Sequence, residues 1–119
     1  MDQNLAYAGP GARPNVERRW WPDRPLCAMV AQAFGLLPSD LETATRGCAR
    51  AALARQTLMY LARVCCGMTL SEAAALCGRD RTTAAHACRV IEDRRDDPRF
   101  DAKLIALETM LMAMPDVAR

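Results

Sequence analysis

The chain has 119 residues, which is one domain with room for a single core. Hydrophobic residues make up 51% but aromatics only 5%, so the core must be built from Ala, Leu, Met and Cys, a composition that favours helices over sheet. With a net charge of only +2, no Gly-x4-Gly-Lys-Ser/Thr phosphate loop, no export leader and no apolar run of membrane-spanning length, an ATPase, an exported protein and a membrane protein are all set aside.

Residues 1–22 carry Gly9, Pro10, Gly11, Pro14 and Pro22 without a helical period, and read as a flexible N-terminal arm. Its informative patch is Arg18-Arg19-Trp20-Trp21. Two readings stand: a basic arm reaching a groove or a partner's surface, or a Trp pair folded back over the first helix. A domain is expected over 23–115. Pro25 fits the first turn of a helix, and Leu26, Val30, Ala33, Phe34 and Leu37 follow at amphipathic spacing, as in a core helix. Pro38-Ser39-Asp40-Leu41-Glu42 offers an S-x-x-E capping box and a short helix. The segment 43–48 has no apolar period and contains Arg46 and Gly47.

A long helix is expected over about 49–66, with Leu53, Thr57, Tyr60, Leu61, Val64 and Met68 on its apolar side and Arg55, Gln56 and Arg63 off it. Next, Thr69 and Glu72 form a second capping box, and the apolar run 73–77 stops at Gly78, a residue suited to the left-handed position after a helix. Asp80 is a good N-cap for a following helix. On that helix Ala84, Ala87, Cys88 and Ile91 form a small-residue inward stripe. Thr82, His86, Arg89 and Asp93 lie opposite, with Arg79 and Arg81 at the N-terminal end. Asp97-Pro98 starts a last helix, where Phe100, Leu104, Leu107, Leu111 and Met114 repeat at heptad-like spacing and close the core. Met110, Met112 and Met114 read as gap fillers; a partner-binding helix is the other reading. Residues 116–119 are a tail.

Two helices over about 69–93 joined by a glycine turn, the second with an Arg-bearing outer face, match a helix-turn-helix. In that motif the second helix enters the DNA major groove with its N-terminal residues leading. A plain helical hairpin with a solvated face has the same coarse pattern. The individual residues separate the two. Gly78-Arg79-Asp80-Arg81-Thr82-Thr83, then His86-Ala87-Cys88-Arg89 and Ile91-Glu92, resemble the signature of the C-terminal DNA-binding domain of the bacterial replication initiator DnaA. Ala54-Arg55-Gln56, Met59-Tyr60-Leu61-Ala62-Arg63 and Leu70-x-Glu72 resemble the same family in the same order. The resemblance covers about 25–114 and is sharpest from Arg55 to Glu92. It implies a compact, all-α, multi-helix domain, Trp-repressor-like, standing without the initiator's ATPase domain and binding no ATP.

The resemblance also implies roles. In the family a basic loop at the place of 43–48 reaches the minor groove, and here only Arg46 and Arg50 remain to do so. Arg55 and Gln56 match positions that contact backbone phosphates, which fix register without reading sequence. At the groove-facing end of the recognition helix, Arg81 can reach guanine O6 and N7 together, a pairing that contributes ~1–3 kcal/mol of base discrimination. Thr82 and Thr83 offer methyls to thymine and hydroxyls to bases or phosphate. Asp80 either caps the helix or accepts from a cytosine amino group. Arg79, His86 and Arg89 are placed for the backbone or the groove wall. The chain departs from the family pattern at several points: His is usual where Arg81 stands, a bulkier apolar pair at Ala84-Ala85, a basic residue at Val90 and proline at Ala54, and 70–80 is one residue shorter. The expected target is therefore DnaA-box-like but not identical.

Charge placement agrees with a DNA face on part of the surface. Bases dominate from Arg46 to Arg95, acids exceed bases from Asp96 onward, and all but one of the basic residues are arginine. The six cysteines, Cys27, Cys48, Cys65, Cys66, Cys77 and Cys88, form no CxxC pair, and His86 is the one histidine. Buried thiols are expected, with no metal and no cofactor; a structural metal or disulfide is the lesser alternative. The leading function is sequence-specific binding of double-stranded DNA, regulating replication initiation or transcription in the cytoplasm, on the nucleoid. The alternative keeps the fold but acts through protein contacts with the replication initiator or RNA polymerase. An enzyme is rejected, because one His and no paired carboxylates leave nothing to perform chemistry.

Overall fold

The computed structural model describes residues 23–42 and 49–114; the N-terminal arm, the segment bearing Arg46 and the tail lie outside the described residues. Those described residues form six helices and no strand. They are α1 (Asp23–Ala33), α2 (Pro38–Glu42), α3 (Ala49–Val64), α4 (Leu70–Ala75), α5 (Arg81–Arg94) and α6 (Pro98–Met112). α3 is the hub, with α1, α2, α4 and α5 all packed on it.

The sequence explains why α3 is central. Ala51, Ala54, Leu58, Met59, Leu61 and Ala62 are all buried, and small residues among them let neighbouring helices approach closely. Thr57 is fully buried too, and its hydroxyl donates to the Leu53 carbonyl (2.9 Å), so no polar group is left unsatisfied there. The expected one-sided stripe was too narrow: α3 is covered on most of its circumference, and Leu53 is only half-buried. Val64, expected inside, is 52% exposed because the helix ends there. Met68, beyond the helix, is buried as expected.

At the N-terminal side, α1 buries Leu26, Val30, Ala31 and, just past its end, Phe34. Leu37 was expected to continue that face but is 67% exposed. The chain leaves the helical path at Gly35, and Leu36 N–H turns back to the Ala31 carbonyl (2.8 Å), so Leu37 belongs to the start of α2. The expected box there is also corrected: the Asp40 carboxylate accepts from Leu37 N–H (2.9 Å), which makes Leu37 the cap and places Ser39 inside the first turn.

α6 begins as its sequence predicts, with Asp97 accepting from Arg99 N–H (3.0 Å) and Pro98 in the first turn. Phe100, Leu104, Leu107 and Leu111 face the core, and Lys103 Nζ donates to the Ala33 carbonyl (3.2 Å) while lying 4.4 Å from the centroid of the Phe34 ring. Met114 is half-buried, but Met110 and Met112 are 51% and 59% exposed and fill no gap in the described core. Between α5 and α6 sits a node that periodicity did not reveal. Arg95 donates to Glu108 through two nitrogens (2.9 and 3.2 Å), to Asp101 (2.6 Å) and to the Tyr60 hydroxyl (3.0 Å). These partners hold its guanidinium pKa above the ordinary arginine value, with Glu108 the largest cause.

Candidate nucleic-acid interface

The candidate interface is built from the α4–turn–α5 unit. α4 starts in a reciprocal box: Glu72 N–H donates to Thr69 Oγ1 (3.0 Å) and Thr69 N–H to Glu72 Oε1 (2.9 Å). The helical path ends at Gly78, whose φ of +66° lies in the left-handed region that a Cβ makes costly. There Gly78 N–H donates to the Ala75 carbonyl (3.1 Å) and Arg79 N–H to the Ala74 carbonyl (2.9 Å), the paired bonds of a Schellman turn. Ala73, Ala74 and Cys77 are buried beneath it, so the turn is fixed from inside as well.

Asp80 then opens α5. Its Oδ1 accepts from both Thr83 N–H (2.9 Å) and the Thr83 hydroxyl (2.8 Å). The Thr83 backbone bond, then the hydroxyl bond, hold the Asp80 carboxyl below its ordinary pKa, so it is ionised at neutral pH. Of the two jobs open to Asp80, capping is the one it performs in this structure. Thr83 is half-buried and its hydroxyl donates to Asp80 in this structure, which leaves its methyl and its oxygen lone pairs as what it can offer.

The two faces of α5 separate as its residue pattern requires. Ala84, Ala87 and Ile91 are buried against α3 and α4. Cys88 is half-buried, and burial, then Glu92, raises its thiol pKa against the pull of Arg63. Arg81, Thr82, His86, Arg89 and Asp93 are exposed, and Arg79 in the turn is half-buried. From Thr82, steps of four and three residues reach His86 and Arg89, which places all three along one outward ridge. Arg81 occupies the first helical position, at the tip of that ridge. Such a tip repels cations by ~0.3–1 kcal/mol through the helix dipole. The Asp80 carboxylate next to it offsets that cost.

Residues expected on the flanks are placed unequally. Arg50 is exposed on the first turn of α3, with Nη1 3.4 Å from the Phe34 carbonyl. Gln56 is half-buried. Arg55 is only 5% exposed, and its Nη1 donates to the Asp40 carbonyl (3.4 Å), tying α3 to α2. The expectation of an outward Arg55 is therefore corrected: its helix face is covered by neighbours that the simple apolar stripe did not anticipate. Arg46 lies outside the described residues. Arg63, which the sequence placed off the stripe without a role, is exposed on the last turn of α3 and donates to the Met68 carbonyl (3.1 Å), directly before α4. Its position eight residues after Arg55, on the same helix and beyond the covered segment, was the available signal.

Cys66 and Cys77 are buried and Cys65 is half-buried beside Glu108 and Arg95; burial pushes the Cys66 thiol up to about 11. Among the described residues no three His, Cys, Asp or Glu side chains gather as a metal site, and no helix is long and apolar enough to cross a membrane. The unit thus offers a rigid, outward ridge with two guanidiniums, a hydroxyl and an imidazole, which is hydrogen-bonding chemistry. In comparison with known proteins, the chain matches a family model, the bacterial dnaA protein helix-turn-helix, over residues 26–91. No curated protein matches the chain. The matched stretch runs from the buried Leu26 of α1 to the buried Ile91 of α5, more than half of the chain, and includes the Schellman turn and the ridge from Arg81 to Arg89: this chain belongs to the bacterial DnaA helix-turn-helix family.

Proposed function

We propose that this protein binds double-stranded DNA at a DnaA-box-like but shifted sequence, with α5 in the major groove. The observation that carries the reading is the outward ridge of α5 behind a turn locked by Gly78 and Asp80. A cation at a helix N-terminus breaks a local electrostatic rule, and such violations cluster at functional positions. Arg81 and Thr82 are the base-reading pair. Arg81 takes guanine through O6 and N7, and Thr82 offers its methyl or hydroxyl to the neighbouring base. Asp80 and Thr83 hold the pair in place instead of reading bases themselves. Arg50, Arg63, Arg79, His86 and Arg89 supply phosphate contacts, which position the protein without sequence preference. Regulation of replication initiation or of transcription, on the nucleoid in the cytoplasm, is the role this binding serves.

The test is fluorescence anisotropy of a labelled DnaA-box duplex against a scrambled duplex, at about physiological ionic strength, because low salt lets any basic protein bind DNA. A preference for the box, or for a related motif selected from a random duplex pool, supports the reading. A pool that yields no motif refutes it. The second reading, a module acting through protein contacts on the initiator or RNA polymerase, leads if no DNA motif emerges.

A further inference from the structure

α6 is apolar on both sides. Its inner face belongs to the core, yet its outer face carries Ile105 (48% exposed), Met112 (59%) and Met110 (51%), with Ala106, Ala113 and the hydroxyl-bearing Thr109 exposed between them. Lys103 flanks this surface but is held by Ala33 and Phe34, and Asp101 and Glu108 are held by Arg95. No charged residue therefore stands from 105 to 113 except Glu108, which turns toward Arg95. Half-exposed large apolar side chains gathered on one helix face mark a surface for contact. α6 also lies beyond the matched family stretch, which ends at residue 91, so the DNA-binding ridge does not account for it.

We propose that this face of α6 is the docking site for the segment that precedes α1, through Trp20 and Trp21. Three features select this occupant. The first is size. Three half-exposed side chains and two alanines present a few hundred Å² of apolar surface. That is well below the ~800 Å² per partner of a stable dimer. Two tryptophans bury ~150–250 Å² each, which matches. The second is reach. α1 lies against α6 at Ala33 and Phe34, and an 11-residue helix is ~16 Å long, so the chain entering α1 starts within a helix length of that contact. Trp21 and Trp20 stand two and three residues ahead of Asp23, so extended chain carries them up to ~7–10 Å from the start of α1, comparable to the ~10 Å from Ile105 to Met112. The third is chemistry. The segment holds both tryptophans of the chain, whereas the surface it would cover is aliphatic and thioether, a favourable partner for indole rings.

The two tryptophans are also the probe. Fluorescence excited at the red edge, where the two tyrosines do not absorb, reads Trp20 and Trp21 alone. The expected result is emission shifted to the blue of a free Trp-Trp peptide, with a red shift and stronger acrylamide quenching in Ile105→Glu/Met112→Glu, while far-UV circular dichroism keeps its helical signal. A complementary variant avoids altering α6: Trp20→Ala/Trp21→Ala should make Met110 and Met112 oxidise faster in dilute peroxide, read by mass spectrometry. If the Trp replacements leave those methionine rates unchanged, the proposal is overturned. In that case light scattering showing a dimer assigns the face to a second copy, and a monomer assigns it to another protein.

Discussion

Replacing Arg95 by methionine removes a guanidinium that joins three helices while keeping an unbranched, largely apolar stem. Arg95 makes a two-nitrogen bond to Glu108, a 2.6 Å bond to Asp101 and a 3.0 Å bond to the Tyr60 hydroxyl. The Arg95, Asp101 and Glu108 side chains are 25%, 32% and 24% exposed, so neither the fully screened nor the fully buried limit applies. Exposed ion pairs contribute ~0–1 kcal/mol each. Hydrogen bonds to charged groups in drier surroundings contribute ~1.5–3 kcal/mol. Discounting for water on one side, and adding back the repulsion between the two carboxylates left behind, the expected loss is about 2 kcal/mol. Urea denaturation should show it as a lower midpoint at unchanged slope. Arg95→Lys should recover only part, because an ammonium cannot repeat the two-nitrogen fork. A double-mutant cycle with Glu108→Gln should give a coupling above ~0.5 kcal/mol. A midpoint unmoved by Arg95→Met, or zero coupling, would refute the node. DNA affinity per folded molecule should not change, since Arg95 lies past the C-terminal end of α5.

Three further outcomes follow from the same geometry. Asp80→Asn should weaken the start of α5 at neutral pH. Because the wild-type carboxyl is held below its ordinary pKa, its contribution is present above the unfolded pKa and fades as pH falls through the folded one. The stability gap between wild type and Asp80→Asn should therefore close in acid, and a gap independent of pH would contradict the cap. Ala84→Leu, the bulkier residue type the family favours there, meets a position that is fully buried here, and overpacking should cost ~1–3 kcal/mol by thermal or urea unfolding. Arg55→Met should lower stability while leaving the salt slope of DNA binding unchanged; a slope reduced by about one, with stability intact, would restore the phosphate role.

The helix-turn-helix was legible because its determinants are local. Thr69 with Glu72, Gly78 and Asp80 each act on backbone within a few residues, and each sits where its chemistry predicts. The inward stripe Ala84, Ala87 and Ile91 was equally clear, since one buried face on a surface helix gives a clean period. α3 was harder. A central helix is buried on most sides, so its period fades, and Arg55 looked exposed only because the stripe was drawn too narrow. Leu37 and Val64 failed at helix ends, where one residue of termination turns a side chain outward. Arg95 was invisible for a different reason: its partners Tyr60, Asp101 and Glu108 are brought together by tertiary packing, which no local spacing encodes.

The most direct test of the account takes wild type and Arg81→Ala against the best selected duplex and a random duplex, at one physiological salt concentration. If Arg81 reads a guanine from the tip of α5, the variant loses ~1–3 kcal/mol, or roughly 5- to 150-fold, on the selected site. Its affinity for random duplex should fall only slightly, and preference at one base position should flatten. Equal loss on both duplexes would reduce Arg81 to a phosphate contact and contradict α5 as the helix that reads the sequence.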